Sequence, residues 1–199
     1  MKPASPSTGF AVCIGGIPGV GKTTLLQKHV AINESRDRAI TGSAVLRKVI
    51  APASFEDFDR WPFERKVVAR DEAVQRLVIE RKECLGRLLV DGHFTLRNRL
   101  TGKVEPVFTT ADRRFYNALA LVEGTVEEVL DWRRKDPRDR GSESYWEVRE
   151  HLLAEREEGS RLSREMGVPY LIVLADDQRL GMEMLDQFLD QHVPLGGRP

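Results

Sequence analysis

The octet Gly16-Ile17-Pro18-Gly19-Val20-Gly21-Lys22-Thr23 constrains this chain more than any other feature. It satisfies G-x-x-x-x-G-K-[ST] without a mismatch. A continuous apolar run with β-branched members, residues 10–14, precedes it, and a helical stretch, residues 23–32, follows. That context is a buried strand feeding a tight glycine turn and then a helix. Glycines let backbone amides turn inward where a Cβ would clash. Those amides and the first helical turn present positive dipole to an anion. Lys22 is a mobile point charge for terminal phosphates, and Thr23 offers a hydroxyl to Mg²⁺. Gly16, Ile17, Pro18, Gly19, Val20, Gly21, Lys22, Thr23 and Thr24 are thus the expected set for a nucleoside triphosphate, taken as ATP with Mg²⁺.

The remaining pattern repeats the strand–helix theme. Short apolar strands are expected at 88–90, 118–122 and 170–174, with a shorter β-like stretch at 39–41 after a polar loop at 33–38. Helices are expected at 43–50, closed by Pro52, at 63–85, at 180–189, and after two capping boxes. Thr125 with Glu128 opens one of these, through Arg134; Ser144 with Glu147 opens a long one to about Met166. Residues 93–110 read as a long loop or an excursion hairpin with a turn at Thr101-Gly102-Lys103. Alternation of this kind predicts an α/β, three-layer P-loop NTPase fold with a central parallel five-stranded sheet and an arginine-rich lid. One unit over 10–190 is expected, between flexible ends at 1–9 and 191–199, with an acceptor-binding segment near 39–85 and the lid near 132–144.

Length and composition exclude several alternatives. At 199 residues the chain can enclose a core without disulfides. Its 31 basic and 31 acidic side chains cancel, which argues against nucleic acid held by bulk charge. Cys13 and Cys84 match no metal spacing and read as reduced packing residues. No segment approaches the roughly 20 apolar residues that cross a bilayer. No membrane association and a cytoplasmic location are therefore the expectation.

A strand-end carboxylate is needed on the metal side, because Mg²⁺ prefers oxygen. Asp91, closing the 88–90 strand, is the candidate, with a simple turn beside Gly92 as the alternative. No guanine-reading N/T-K-x-D element and no D-x-x-G switch follow, which weakens a GTPase reading. Residues 132–140, rich in arginine between two capped helices, read as a hinged lid or as a solvated charged loop.

Thr41-Gly42-Ser43-Ala44-Val45-Leu46-Arg47 resembles the S-T-G-D-M-L-R element of adenylate kinases, which grips an acceptor monophosphate. The Gly15–Thr24 run is similar to the phosphate loop of the archaeal type, and Asp91-Gly92-His93 resembles its D-T-H. The resemblance covers about residues 10–177. It implies a nucleoside monophosphate kinase in which Thr41, Gly42 and Arg47 hold the acceptor, Gly92 lets backbone approach it, and His93 lines the site. Lys22 with Arg133, Arg134, Arg138 and Arg140 would act on the transferring phosphoryl. The chain departs from the pattern at Thr95, where an arginine is expected and Arg97 or Arg99 stand near, and at Ser43, which replaces an acid. A kinase of a hydroxyl-bearing small molecule is the runner-up. A nucleotide-dependent regulatory module with a protein partner at 96–108 is a third reading.

Overall fold

The computed structural model describes residues 9–84, 86–136 and 143–193. In chain order, β1 (Phe10–Gly15), α1 (Lys22–Asn33), β2 (Asp37–Thr41) and α2 (Gly42–Ile50) come first. The short α3 (Phe55–Asp59) and the long α4 (Phe63–Glu83) lead to β3 (Arg87–Asp91). A small hairpin, β4 (Thr95–Arg97) and β5 (Val104–Pro106), precedes α5 (Thr110–Phe115) and β6 (Ala118–Glu123). The chain closes with α6 (Val126–Lys135), α7 (Tyr145–Met166), β7 (Tyr170–Leu174) and α8 (Gln178–His192).

Five parallel strands make the central sheet in the order β2-β3-β1-β6-β7. Alternate residues of β1 divide the core. Val12 and Ile14 pack with Leu25, Leu26, Val129 and Leu185 on one face. Ala11 and Cys13 pack with Val74, Leu77, Phe94 and Leu162 on the other. Cys13 and Cys84 are both free thiols. Both faces are covered by helices, so the strands read as unbroken apolar runs rather than alternating ones. The expected α/β fold with a central five-stranded parallel sheet holds, while residues 137–142 of the expected lid lie outside the described residues. Among the described residues no helix is long and apolar enough to cross a membrane.

Register places the strand ends that matter. Thr41 and Ile14 both pair with Asp91, so three neighbouring strands finish in one row. The chain moves out from β1 to one edge, returns through β3, and crosses to β6 on the other side of β1. Beside β1 the strand order therefore reverses, and the crevice beyond the strand carboxyl ends opens there.

Several local features differ from the sequence expectation. β2 begins at Asp37, inside the stretch read as a loop. The Asp37 carboxylate is fully buried against Arg87 (Nε to Oδ1, 2.6 Å) and His29 (Nε2 to Oδ2, 2.7 Å). A buried ion pair thus supplies what apolar periodicity supplies elsewhere. The helices α3 and α5 were not expected; each is short and opened by a capping box, Ser54 with Asp57 and Thr109 with Asp112. Of the two readings for 93–110, the hairpin is observed, with Leu96 opposite Glu105.

Candidate nucleotide-binding site

The loop between β1 and α1 takes its shape from three glycines at positive φ: Gly16 (139°), Gly19 (87°) and Gly21 (96°). At Gly16 the demand is steric as well, since a Cβ would lie 2.5 Å from the Val122 carbonyl. Gly21 occupies the N-cap of α1 and has no side chain to cap it. The first-turn amides of Thr23 and Thr24 therefore keep their donors for another partner.

Lys22 and Thr23, the first residues of α1, turn towards the end of β3. The Lys22 ammonium, only 5% exposed, donates to the carbonyls of Gly16 (2.6 Å) and Ile17 (3.2 Å) and lies 3.8 Å from Asp91 Oδ1. Thr23 Oγ1 donates to Asp91 Oδ2 at 2.5 Å. Its proton is thereby directed at the carboxylate, and its lone pairs face away. A hydroxyl and a carboxylate at this spacing are hard oxygen donors of the kind Mg²⁺ takes, with water filling its other positions. The donor set fits the metal.

A cleft of about 370 Å³ opens above these residues. Residues 18–24 form its floor. Thr41, Ser43, Asp91 and His93 line one side, and Trp132, Lys135, Asp136, Ala175 and Gln178 the other. His93 Nδ1 lies 2.6 Å from the Gly16 carbonyl, so that nitrogen carries the proton and donates. A second depression, of about 540 Å³, lies against the start of β7 and the end of α8. It is at the opposite end of the sheet from the strand carboxyl ends.

Other expected site residues are placed elsewhere. Arg47 is exposed on the outer face of α2, its guanidinium carbon 5.4 Å from the Phe55 ring centroid, and does not line the cleft. Gly42 opens α2 beneath the cleft, where a Cβ would sit 3.2 Å from the Asp91 carbonyl. Gly92 lies against the core instead, since a Cβ there would sit 3.1 Å from Cys13 Sγ. Arg133 is buried and grips the phosphate loop itself. Its Nε and Nη2 donate to the Pro18 carbonyl at 3.0 and 2.8 Å, and Nη1 pairs with Glu143 at 2.8 Å. Arg134 is 74% exposed and engages Leu130 and Asp131 of its own helix. It is turned out of the site by the helical period: one residue after a buried position, it faces solvent. Arg138 and Arg140 lie outside the described residues. Of the arginines near Thr95, Arg97 ties the hairpin to α7 through the Glu147 carbonyl (2.6 Å) and Glu150 (2.8 Å). Arg99 is exposed and does not line the cleft.

Sequence reasoning missed Glu155. This α7 residue is 1% exposed, and its carboxylate accepts from four donors. Gly16 N–H and Phe94 N–H reach Oε1, both at 2.8 Å. Thr95 N–H (2.6 Å) and Thr95 Oγ1 (2.5 Å) reach Oε2. Burial pushes the Glu155 carboxyl above its ordinary range, although the bonds from Thr95, Phe94 and Gly16 and the nearby Lys22 charge pull back. The signal was present in the spacing. His151, Glu155, Gly159 and Leu162 follow one helical face, and three of these four are not apolar core residues.

A strand, a glycine nest, a helix-start lysine and threonine, and an acid at the neighbouring strand end define a P-loop nucleotide-binding protein of kinase-like architecture. The family model described as AAA domain matches residues 15–150, and the chain belongs to that family. Among solved structures the chain is similar to shikimate kinase from Bacteroides thetaiotaomicron, with a TM-score of 0.60 at 12% identity. That alignment covers 91% of this chain and 98% of the other. At such identity the likeness speaks for the fold.

Proposed function

We propose that the protein is an ATP- and Mg²⁺-dependent phosphotransferase that moves a phosphoryl group to a small acceptor, a nucleoside monophosphate. The observation that carries the reading is the Lys22–Thr23–Asp91 constellation at the floor of a two-sided cleft. In this reading the Trp132 and Gln178 side takes the donor base and the Thr41 and His93 side the acceptor.

The chain's own residues account for the work. First-turn amides of α1 and the Lys22 ammonium balance charge on the phosphates as it redistributes during transfer. Thr23 and Asp91 would hold Mg²⁺, which would supply a counter-charge for the phosphates. The acceptor would lie against Thr41, Ser43 and His93, next to the row in which β1, β2 and β3 end. A monophosphate acceptor is already ionised at neutral pH and asks for no general base. The Thr41–Arg47 element and Asp91-Gly92-His93 support this choice through their resemblance to adenylate kinases.

One observation favours a second reading, transfer to an alcohol. Among the described residues no arginine lines the cleft; its acceptor side carries two hydroxyls, an imidazole and a carboxylate. Asp91 would then double as the base. A coupled assay of ADP release with Mg-ATP and each nucleoside monophosphate in turn separates the two. Turnover with one monophosphate, well above ATP hydrolysis alone, is the expected result. No stimulation by any monophosphate would refute the first reading. Stimulation by a hydroxylated metabolite pool would support the second.

A further inference from the structure

We infer that Glu155 is a positioning residue for triphosphate binding, fixing the Gly16 peptide from α7 so that Lys22 is aimed by the loop's own carbonyls. The inference rests on the phosphate-loop reading above.

Gly16 is held at both of its polar ends. Its amide donates to Glu155, while its carbonyl accepts from Lys22 Nζ and from His93 Nδ1. The orientation of this residue sets where the ammonium rests, because Gly16 O at 2.6 Å is the shorter of the two carbonyl contacts to Nζ. Glu155 therefore acts on the site through Gly16 rather than by touching a substrate.

The chemistry of the four contacts favours a carboxylate over an amide. Every group facing Glu155 is a donor, two on each oxygen. Whichever way a glutamine turned, its N–H₂ would oppose a backbone N–H, that of Thr95 or those of Gly16 and Phe94, and leave a buried donor unpaired. A buried anion this close to a phosphate site is unfavourable for phosphate on charge alone. Its presence fits an orienting role, with Lys22 as the nearby counter-charge. The Gly16 amide is committed to Glu155 and the Val20 amide to the Ile17 carbonyl (3.3 Å), so the amides that remain to face phosphate are those of Gly19, Gly21, Thr23 and Thr24.

The experiment compares wild type, Glu155→Gln and Thr95→Val, each titrated calorimetrically with Mg²⁺ and the non-hydrolysable β,γ-imido analogue of ATP. Thr95→Val removes one donor from Oε2 and leaves the Gly16 contact intact. Both variants should unfold at lower temperature, which a structural role alone would also give. The positioning role predicts in addition that Glu155→Gln raises Kd by about tenfold or more while Thr95→Val stays within about twofold. Equal affinity losses in both, or an unchanged Kd in Glu155→Gln, would overturn it.

Amide NMR of the wild type decides the matter if Glu155→Gln does not fold. The Gly16 amide should exchange slowly with and without the analogue, and shift less on binding than the amides of Gly19, Gly21 and Thr23. A Gly16 shift as large as theirs overturns the inference and leaves the phosphate-loop reading standing. Absence of heat and of any shift in the wild type would sink both.

Discussion

His151 offers the sharpest quantitative test of how α7 is seated. The imidazole is 1% exposed, and its Nε2 lies 3.4 Å from the Thr95 carbonyl, with no hydrogen-bond partner at Nδ1 among the described residues. Burial pulls its pKa down to about 4, and the Thr95 carbonyl and Glu143 offset only part of that. In the unfolded chain the same group takes up a proton near pH 6.5. Between those two values the unfolded state binds the extra proton, so stability falls as pH falls. A difference of about 2.5 units at 1.36 kcal/mol each gives a loss of about 3 kcal/mol across pH 6.5 to 4. The perturbation is His151→Leu, which removes the titration and keeps an apolar group in the site. Urea unfolding of both proteins at pH 7, 5.5 and 4 supplies the measurement. Asp112, pushed up to about 6 chiefly by burial, tilts the other way, since its folded form gains stability on protonation. That contribution is common to both proteins and cancels in their difference. With a urea m-value of about 2 kcal/mol/M, the wild-type midpoint should drop about 1.5 M further than that of the variant. Parallel pH curves for the two proteins would refute the argument, as would a His151 ring-proton signal titrating near pH 6.5.

Four further variants test contacts described above. Lys22→Ala should lower phosphoryl transfer by about two orders of magnitude, and near-normal turnover in the coupled assay would remove Lys22 from the site. Arg133→Ala should raise the KM for ATP and cost about 2 kcal/mol in chemical unfolding, because the Pro18 carbonyl and Glu143 lose their partner. Arg134→Ala should alter stability by less than about 0.5 kcal/mol and leave KM unchanged; equal effects from the two arginines would contradict their placement. Arg87→Met should destabilise by about 3–5 kcal/mol at pH 7 by stranding buried Asp37. Burial alone would raise the Asp37 carboxyl, but hydrogen bonds from His29 and Arg87 hold it below its ordinary value. Its stabilisation is present above about pH 4 and lost as pH falls through the depressed value. The wild-type advantage over Arg87→Met should therefore shrink in acid when followed by urea unfolding.

Much of the fold was legible because it rests on local rules. Residues 10–14 are apolar without interruption, so they belong between two covered faces, and the glycines after them permit a turn that other residues resist. Thr125 with Glu128 and Ser144 with Glu147 mark helix starts through bonds spanning three residues, and both caps are formed. The pairing of Thr23 with Asp91 was also within reach, since strand-end acids meet the loop in a parallel sheet.

What the sequence left open depends on partners far apart along the chain. Asp37 belongs to a strand only because Arg87, fifty residues on, neutralises it in the core. Arg133 and Arg134 are neighbours of one chemistry, yet the helix turns one onto Pro18 and the other into water. Helical spacing marks Glu155 as inward-facing, but nothing local names Gly16, 139 positions away, as its partner. Local periodicity and turn chemistry thus set the elements and the phosphate loop. Long-range packing chose which charged side chains hold that loop in place, because a buried charge is stable only where the fold brings it donors or an opposite charge.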